Sequence, residues 1–181
     1  ADLSDVLTLS GVYSRSEASR NALAAEAEQI CGHFGTVYQS IDEICADPEV
    51  DFAIVLTPPN ARLEITEKLS AAGKAILMEK PVERTATAAA EIVDICEKAG
   101  VALGIVFQHR VRAASEKLLE LINEGALGGL VLAEASVPWW RDQSYYDEPG
   151  RGTYARDGGG VLISQAIHTM DLLLSLTGPV S

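Results

Sequence analysis

The sequence predicts an α/β fold: a partial Rossmann-type, doubly wound parallel sheet followed by the beginning of a second α/β domain. Three observations lead there. Strand-like and helix-like segments alternate through the first 107 residues, as parallel strands joined by crossover helices require. Phe52–Leu56 is continuously apolar instead of alternating, the pattern of a strand covered on both faces. The apolar strand Ala75–Met78 runs into Glu79-Lys80-Pro81, which puts a lysine at the carboxyl edge where open α/β sheets bind ligands.

In chain order, Leu7–Tyr13 reads as a strand, and Ser16 caps a helix running to about Phe34 with Leu23, Ala27, Ile30 and Phe34 on one side. Thr36–Tyr38 is a short strand, and Ser40 with Glu43 forms the capping-box pattern of a short helix. Thr57-Pro58-Pro59-Asn60 breaks the Phe52–Leu56 strand, and a helix follows over about Arg62–Ala72, stopped by Gly73. After the Glu-Lys-Pro strand, an alanine-rich helix spans about Thr85–Ala99 and ends at Gly100. Val101–Phe107 is a further apolar strand.

Beyond Phe107 the pattern changes, which divides the chain into a domain at 1–107 and an incomplete one at 108–181. Gln108-His109-Arg110 leads into a helix of about Ala113–Glu124, with Leu118, Leu119 and Ile122 apolar and Gly125 beyond its end. Leu130–Val137 reads as a strand. Trp139–Asp157 has no periodicity, and its tryptophans, tyrosines and arginines predict an ordered binding loop. Gly158-Gly159-Gly160 opens a last helix of about Val161–Leu176, closed by Gly178-Pro179. A strand, a G-x-G-x-x-G turn and a helix should begin a dinucleotide-binding domain, and no such turn occurs here. With a second domain of only one strand and two helices, the expectation is a middle portion of a longer protein.

Composition narrows the function classes. The chain has 181 residues, 48% of them hydrophobic, and a net charge of −12, with a pI near 4.6. So acidic a chain is not expected to bind nucleic acid or an anionic membrane, and no apolar run approaches the roughly 20 residues of a membrane helix. Cys31, Cys45 and Cys96 are odd in number and far apart, so they are expected as buried reduced thiols in a cytoplasmic protein. With only His33, His109 and His168, no metal site is expected.

Glu79-Lys80-Pro81, Asp51–Val55 with Thr57-Pro58-Pro59-Asn60, Gly125-Ala126-Leu127-Gly128, and Gly158-Gly159-Gly160 followed by His168 and Asp171 occur in one order. Together they resemble the glucose–fructose oxidoreductase / inositol dehydrogenase / MocA family, over nearly the whole chain. The resemblance implies an NAD(P)-dependent oxidoreductase acting on sugars, cyclitols or their derivatives, a homo-oligomer when full length. It assigns catalysis to Lys80 and His168. A lysine ammonium stabilises an incipient alkoxide, and an imidazole titrates where a hydroxyl proton must be exchanged. Either could instead be structural, a solvated strand-end lysine or a satisfied core histidine.

The cofactor side would comprise Ser14, Arg15, Thr57, Pro58, Asn60, Glu79 and Lys80. A carboxylate at the end of the first visible strand would select NAD. Ser14-Arg15-Ser16 stands there instead, so NAD or NADP is the cofactor, with the arginine tilting the choice to NADP. The substrate side would comprise Arg110, Trp140, Arg156, Ser164 and Asp171. Many family members carry aspartate where Ser164 stands, one helical turn before His168 and on its face, and Arg62 occupies a position where histidine is common. Asp171 is expected as an orienting carboxylate or a structural one. Trp139, Trp140, Tyr145 and Tyr146 could stack a sugar or form a core or subunit contact. The glycine triplet is expected to serve close packing more than phosphate binding. Two alternatives stay open: an NAD-dependent glycoside-cleaving homologue, and a non-catalytic ligand-sensing regulator of the same fold.

Overall fold

The computed structural model describes residues 3, 5–32 and 35–179. The expected contributions of His33 and Phe34 lie outside these residues. The first strand, β1 (Gly11–Val12), pairs in parallel with β2 (Thr36–Val37). Between them runs α1 (Glu17–Cys31), whose Ser16 side chain accepts from the Ser19 amide as expected. Then come α2 (Ile41–Ala46), β3 (Phe52–Val55), a 3₁₀ turn at Pro59–Ala61, α3 (Arg62–Ala71), β4 (Ala75–Glu79), α4 (Ala86–Ala99) and β5 (Leu103–Val106). Strands β3, β4 and β5 form a parallel sheet in that order, with Ala53 opposite Ile76 and Met78 opposite Ile105.

Alternation in β4 turns Ile76 and Met78 to one face. There they are buried with Val55, with Leu69 of α3, and with Ile92 and Cys96 of α4. The opposite face differs from the sequence expectation: Phe52 and Ile54 are exposed, so β3 is covered on one side only. The two sheets are separate, and the first strand is shorter than Leu7–Tyr13. The strand that carries the glycine turn belongs at the centre of a doubly wound sheet. Among the described residues no strand joins β1–β2 to β3–β4–β5.

The second part holds α5 (Ala113–Asn123), then α6 (Gln143–Tyr146) and α7 (Tyr154–Asp157) within the long loop, and α8 (Val161–Ser164) and α9 (Ile167–Thr177) at its end. Leu130–Val137 forms no strand among the described residues. Without a neighbouring strand its backbone groups have nothing to pair with, and Val131 and Leu132 lie exposed. Cys31 is exposed, Cys45 half-buried and only Cys96 buried, which corrects the expectation of three buried thiols; all are free. Among the described residues no single helix is long and apolar enough to cross a membrane, and no cluster of metal-ligating side chains forms.

Candidate active site

A cleft of about 360 Å³ opens at the carboxyl ends of β3 and β4. Leu56, Thr57, Pro58 and Pro59 line it from the first strand end, and Glu79, Lys80 and Pro81 from the second. The loop that lacked periodicity supplies the opposite wall through Tyr145, Arg151, Arg156 and Asp157, joined by Ser164 and Gln165. The Lys80–Pro81 peptide is cis.

The expected Val161–Leu176 helix is broken. Gln165 leaves helical geometry at φ −124°, ψ −54°, so Ser164 ends α8 and His168 sits in the first turn of α9. The two therefore do not share one helical face, and the Ser164 hydroxyl donates to the Gly160 carbonyl at 2.9 Å. The break leaves the Ser164 carbonyl without an intrahelical donor, and Lys80 Nζ donates to it at 2.8 Å. That hydrogen bond joins the Rossmann edge to the second part across 84 residues of sequence.

His168 is 6% exposed, and its Nδ1 is buried without a partner. Its ring meets Phe107 edge-on and lies 5.2 Å from that of His109, centroid to centroid. Burial holds the His168 imidazole below its usual range, and the charge of Lys80 pushes it in the same direction. Burial also lowers Lys80, aided by Arg62 and Arg151 and opposed by Glu79 and Asp157. Lys80 thus presents a partly desolvated ammonium to the cleft, while His168, which does not line it, is buried and feels the Lys80 charge.

Arg62 was not among the candidate site residues, yet it organises both strand ends. It is 2% exposed. Its Nε and Nη2 donate to the Thr57 carbonyl at 2.9 and 2.7 Å, and Nη1 donates to the carbonyls of Glu79 and Pro81. The signal in the sequence was an arginine one turn after a strand-breaking Thr-Pro-Pro-Asn, too short a reach from its own loop to suggest the second one.

Other expected residues fall in different places. Glu79 turns its carboxylate back to accept from the Lys80 amide at 3.1 Å, and Asn60 lies exposed in the 3₁₀ turn. Ser14 and Arg15 follow β1 and offer their carbonyls to Arg20; neither lines the cleft. Arg110 and Asp171 pair with each other through two 2.6 Å hydrogen bonds, so Asp171 is held by Arg110 and not by His168. Trp140 is 78% exposed and outside the cleft, whereas Tyr145 lines it. Arg156 lines the cleft and donates to the Pro149 carbonyl at 2.8 Å.

Within the glycine triplet Gly158 and Gly159 serve close packing, whereas a Cβ at Gly160 would meet nothing within 4 Å. Gly158 has φ +85°, and a Cβ there would lie 2.9 Å from the Arg84 Cα and from the Ile163 side chain. Gly158→Ala is expected to destabilise the protein by about 1–3 kcal/mol through the left-handed backbone and the clash. Urea denaturation checks this, and an unchanged midpoint would refute it.

Known proteins share this sequence and fold. Residues 2–107 match the model of the oxidoreductase family with an NAD-binding Rossmann fold, and residues 115–181 match the GFO/IDH/MocA C-terminal domain. The rhizopine catabolism protein MocA of Rhizobium meliloti is 28% identical over 156 residues, 86% of this chain and 47% of that protein. Inositol 2-dehydrogenase of the same species is 27% identical over 163 residues, 89% of this chain and 47% of the enzyme. The WlbA dehydrogenase of Chromobacterium violaceum, solved with NADH and UDP-GlcNAcA, superposes with a TM-score of 0.84 at 30% identity, covering 99% of this chain and 50% of that one. The chain thus spans about half the length of these relatives.

Proposed function

We propose that this chain, which belongs to the GFO/IDH/MocA family of NAD-binding oxidoreductases, carries the reacting groups of an NAD(P)-dependent dehydrogenase for a hydroxyl or carbonyl of a sugar, cyclitol or related small molecule. The observation that carries this reading is the hydrogen bond from Lys80 at the cleft to the Ser164 carbonyl, four residues before buried His168, whose imidazole feels the Lys80 charge. Lys80 Nζ can donate to the substrate oxygen and stabilise negative charge there. His168, held neutral by burial, takes the hydroxyl proton in oxidation and returns it in reduction.

Thr57, Pro58 and Asn60 would border the cofactor at the cleft. The Thr57 hydroxyl is buried there without a partner, which suits an incoming polar group. A bound nicotinamide supplies the hydride acceptor or donor. Exposed Arg15 beside Ser14 favours the 2′-phosphate of NADP, although the WlbA dehydrogenase was solved with NADH. In this reading the acting protein is a cytoplasmic homo-oligomer. A sensor is the second reading, favoured by Ser164, which offers no carboxylate and whose hydroxyl is already bonded to Gly160.

Fluorescence titration of the full-length protein with NAD and NADP, followed by a sugar and polyol turnover screen, tests both. Binding of one cofactor with turnover of a polyhydroxylated substrate is expected. Binding without any turnover favours the sensor, and no binding overturns both.

A further inference from the structure

Two neighbouring histidines carry buried ring nitrogens that nothing satisfies. His109 is 5% exposed and His168 6%. Nε2 of the first and Nδ1 of the second are buried without a hydrogen-bond partner. The rings lie 5.2 Å apart, centroid to centroid, at 33° to one another. A buried polar atom left unpaired is costly, and two of them on adjacent rings call for one explanation.

The fold builds this encounter. Just past β5 the Arg110 amide donates to the Phe107 carbonyl at 3.0 Å, a turn that contains His109. The Arg110 side chain reaches α9, where Asp171, three residues after His168, accepts both of its hydrogen bonds. Phe107 meets the His168 ring edge-on, and Trp139 meets the His109 ring in the same way, 6.1 Å between centroids. Turn and helix are thereby clamped around the pair. Asp171 is the one carboxylate of α9. Because Arg110 holds it, His109 is the neighbour left to orient the His168 ring.

Resting on the dehydrogenase reading, we infer that His109 is the positioning partner of His168: its Nε2 accepts the Nδ1 proton of His168 and leaves Nε2 of His168 bare to act as the base. The proton on one imidazole nitrogen is fixed by the hydrogen bond that nitrogen makes. Burial and the charge of Arg112 both favour the neutral His109 ring, the form able to accept. Imidazole χ2 wells are broad, so a modest turn of either ring closes the contact while Arg110 and Asp171 hold the backbone. A neutral acceptor fixes the tautomer without adding a negative charge. His168 therefore keeps the low proton affinity that burial gives it, which a carboxylate partner would raise.

Nitrogen NMR of the full-length protein with labelled histidine reads the tautomer directly, the signal absent from His168→Asn being that of His168. At a pH where His168 is neutral, Nδ1 is expected to carry the proton and Nε2 to be bare. His109→Phe keeps a flat ring against Trp139 but offers no acceptor. It should release the tautomer and lower kcat about tenfold, a fraction of the roughly 10²–10⁴ that a proton-transfer group contributes, with KM and cofactor affinity little changed. His109→Gln puts an amide oxygen near the place of Nε2 and should restore both the tautomer and most of the rate. A merely structural His109 would change stability and leave the tautomer alone. Circular dichroism establishes that each variant is folded; if His109→Phe is not, the native signal and His109→Gln decide the matter. A native His168 protonated on Nε2, a tautomer unmoved in His109→Phe, or one lost in His109→Gln overturns the inference. The expected tautomers without turnover of any substrate leave the pair standing and remove the dehydrogenase reading. Turnover with a tautomer indifferent to His109 does the reverse.

Discussion

In the proposed mechanism, Lys80→Met is expected to lower kcat of the full-length protein by about 10²–10⁴-fold, the usual worth of a positioned proton-transfer or charge-stabilising group, and to change cofactor affinity little. Methionine keeps the length of the side chain and loses the donor to the Ser164 carbonyl. His168→Asn should cost a similar factor, and the double variant less than the product, because the two act on one bond. A second readout separates this from mere disruption. His168 is held low first by burial, then by the charges of Lys80 and His109, with Glu79 opposing and Arg112 assisting. A lowered pKa keeps the base form available below the ordinary value of about 6.5, so oxidation persists into mildly acidic solution and fails as pH falls through the depressed value. Removing the Lys80 charge raises that value, and the acid limb moves to higher pH. Wild-type turnover in Lys80→Met, or a limb displaced to lower pH, would sink the mechanism.

The legible parts of the sequence were those governed by local chemistry. Ser16 and Ser40 cap their helices through their own hydroxyls, and β4 is pinned by its apolar run and the glutamate that ends it. The place of Lys80 at the strand-end cleft was legible from the motif that ends β4, whereas His168 is buried and does not line that cleft. Arg62 was not, since its acceptors at Glu79 and Pro81 lie 17 and 19 residues away and carbonyl groups leave no mark on sequence. The α8–α9 break escaped periodicity for a similar reason: apolar residues continue through it, and the cross-domain donor from Lys80 is distant. Leu130–Val137 read as a strand from β-branched and apolar content alone, but strand formation needs a partner as well as propensity. The reach of the 139–157 loop into the cleft was foreseen in kind, whereas the choice of Arg151 and Tyr145 over Trp140 depended on its two short helices.

Arg62→Ala is expected to destabilise the protein by about 3–5 kcal/mol, because three carbonyls on two loops lose a charged donor at once. Burial pushes the guanidinium down to about 10, so it remains protonated at neutral pH. No carboxylate forms a salt bridge with it among the described residues; its charge is met by the carbonyl dipoles of Thr57, Glu79 and Pro81. Two of those carbonyls flank Lys80. Loosening them should therefore reduce kcat more than it weakens the cofactor, since Lys80 loses its aim while the Thr57 loop still borders the cleft. Arg62→Lys keeps the charge but lacks the fork that reaches both loops, so it should recover less than half of the lost stability. Urea midpoints for both variants, with kcat measured at a temperature where each is folded, check the two halves separately. An Arg62→Ala protein within 1 kcal/mol of its parent would show that water replaces the guanidinium, and that the two strand ends hold their shape without it.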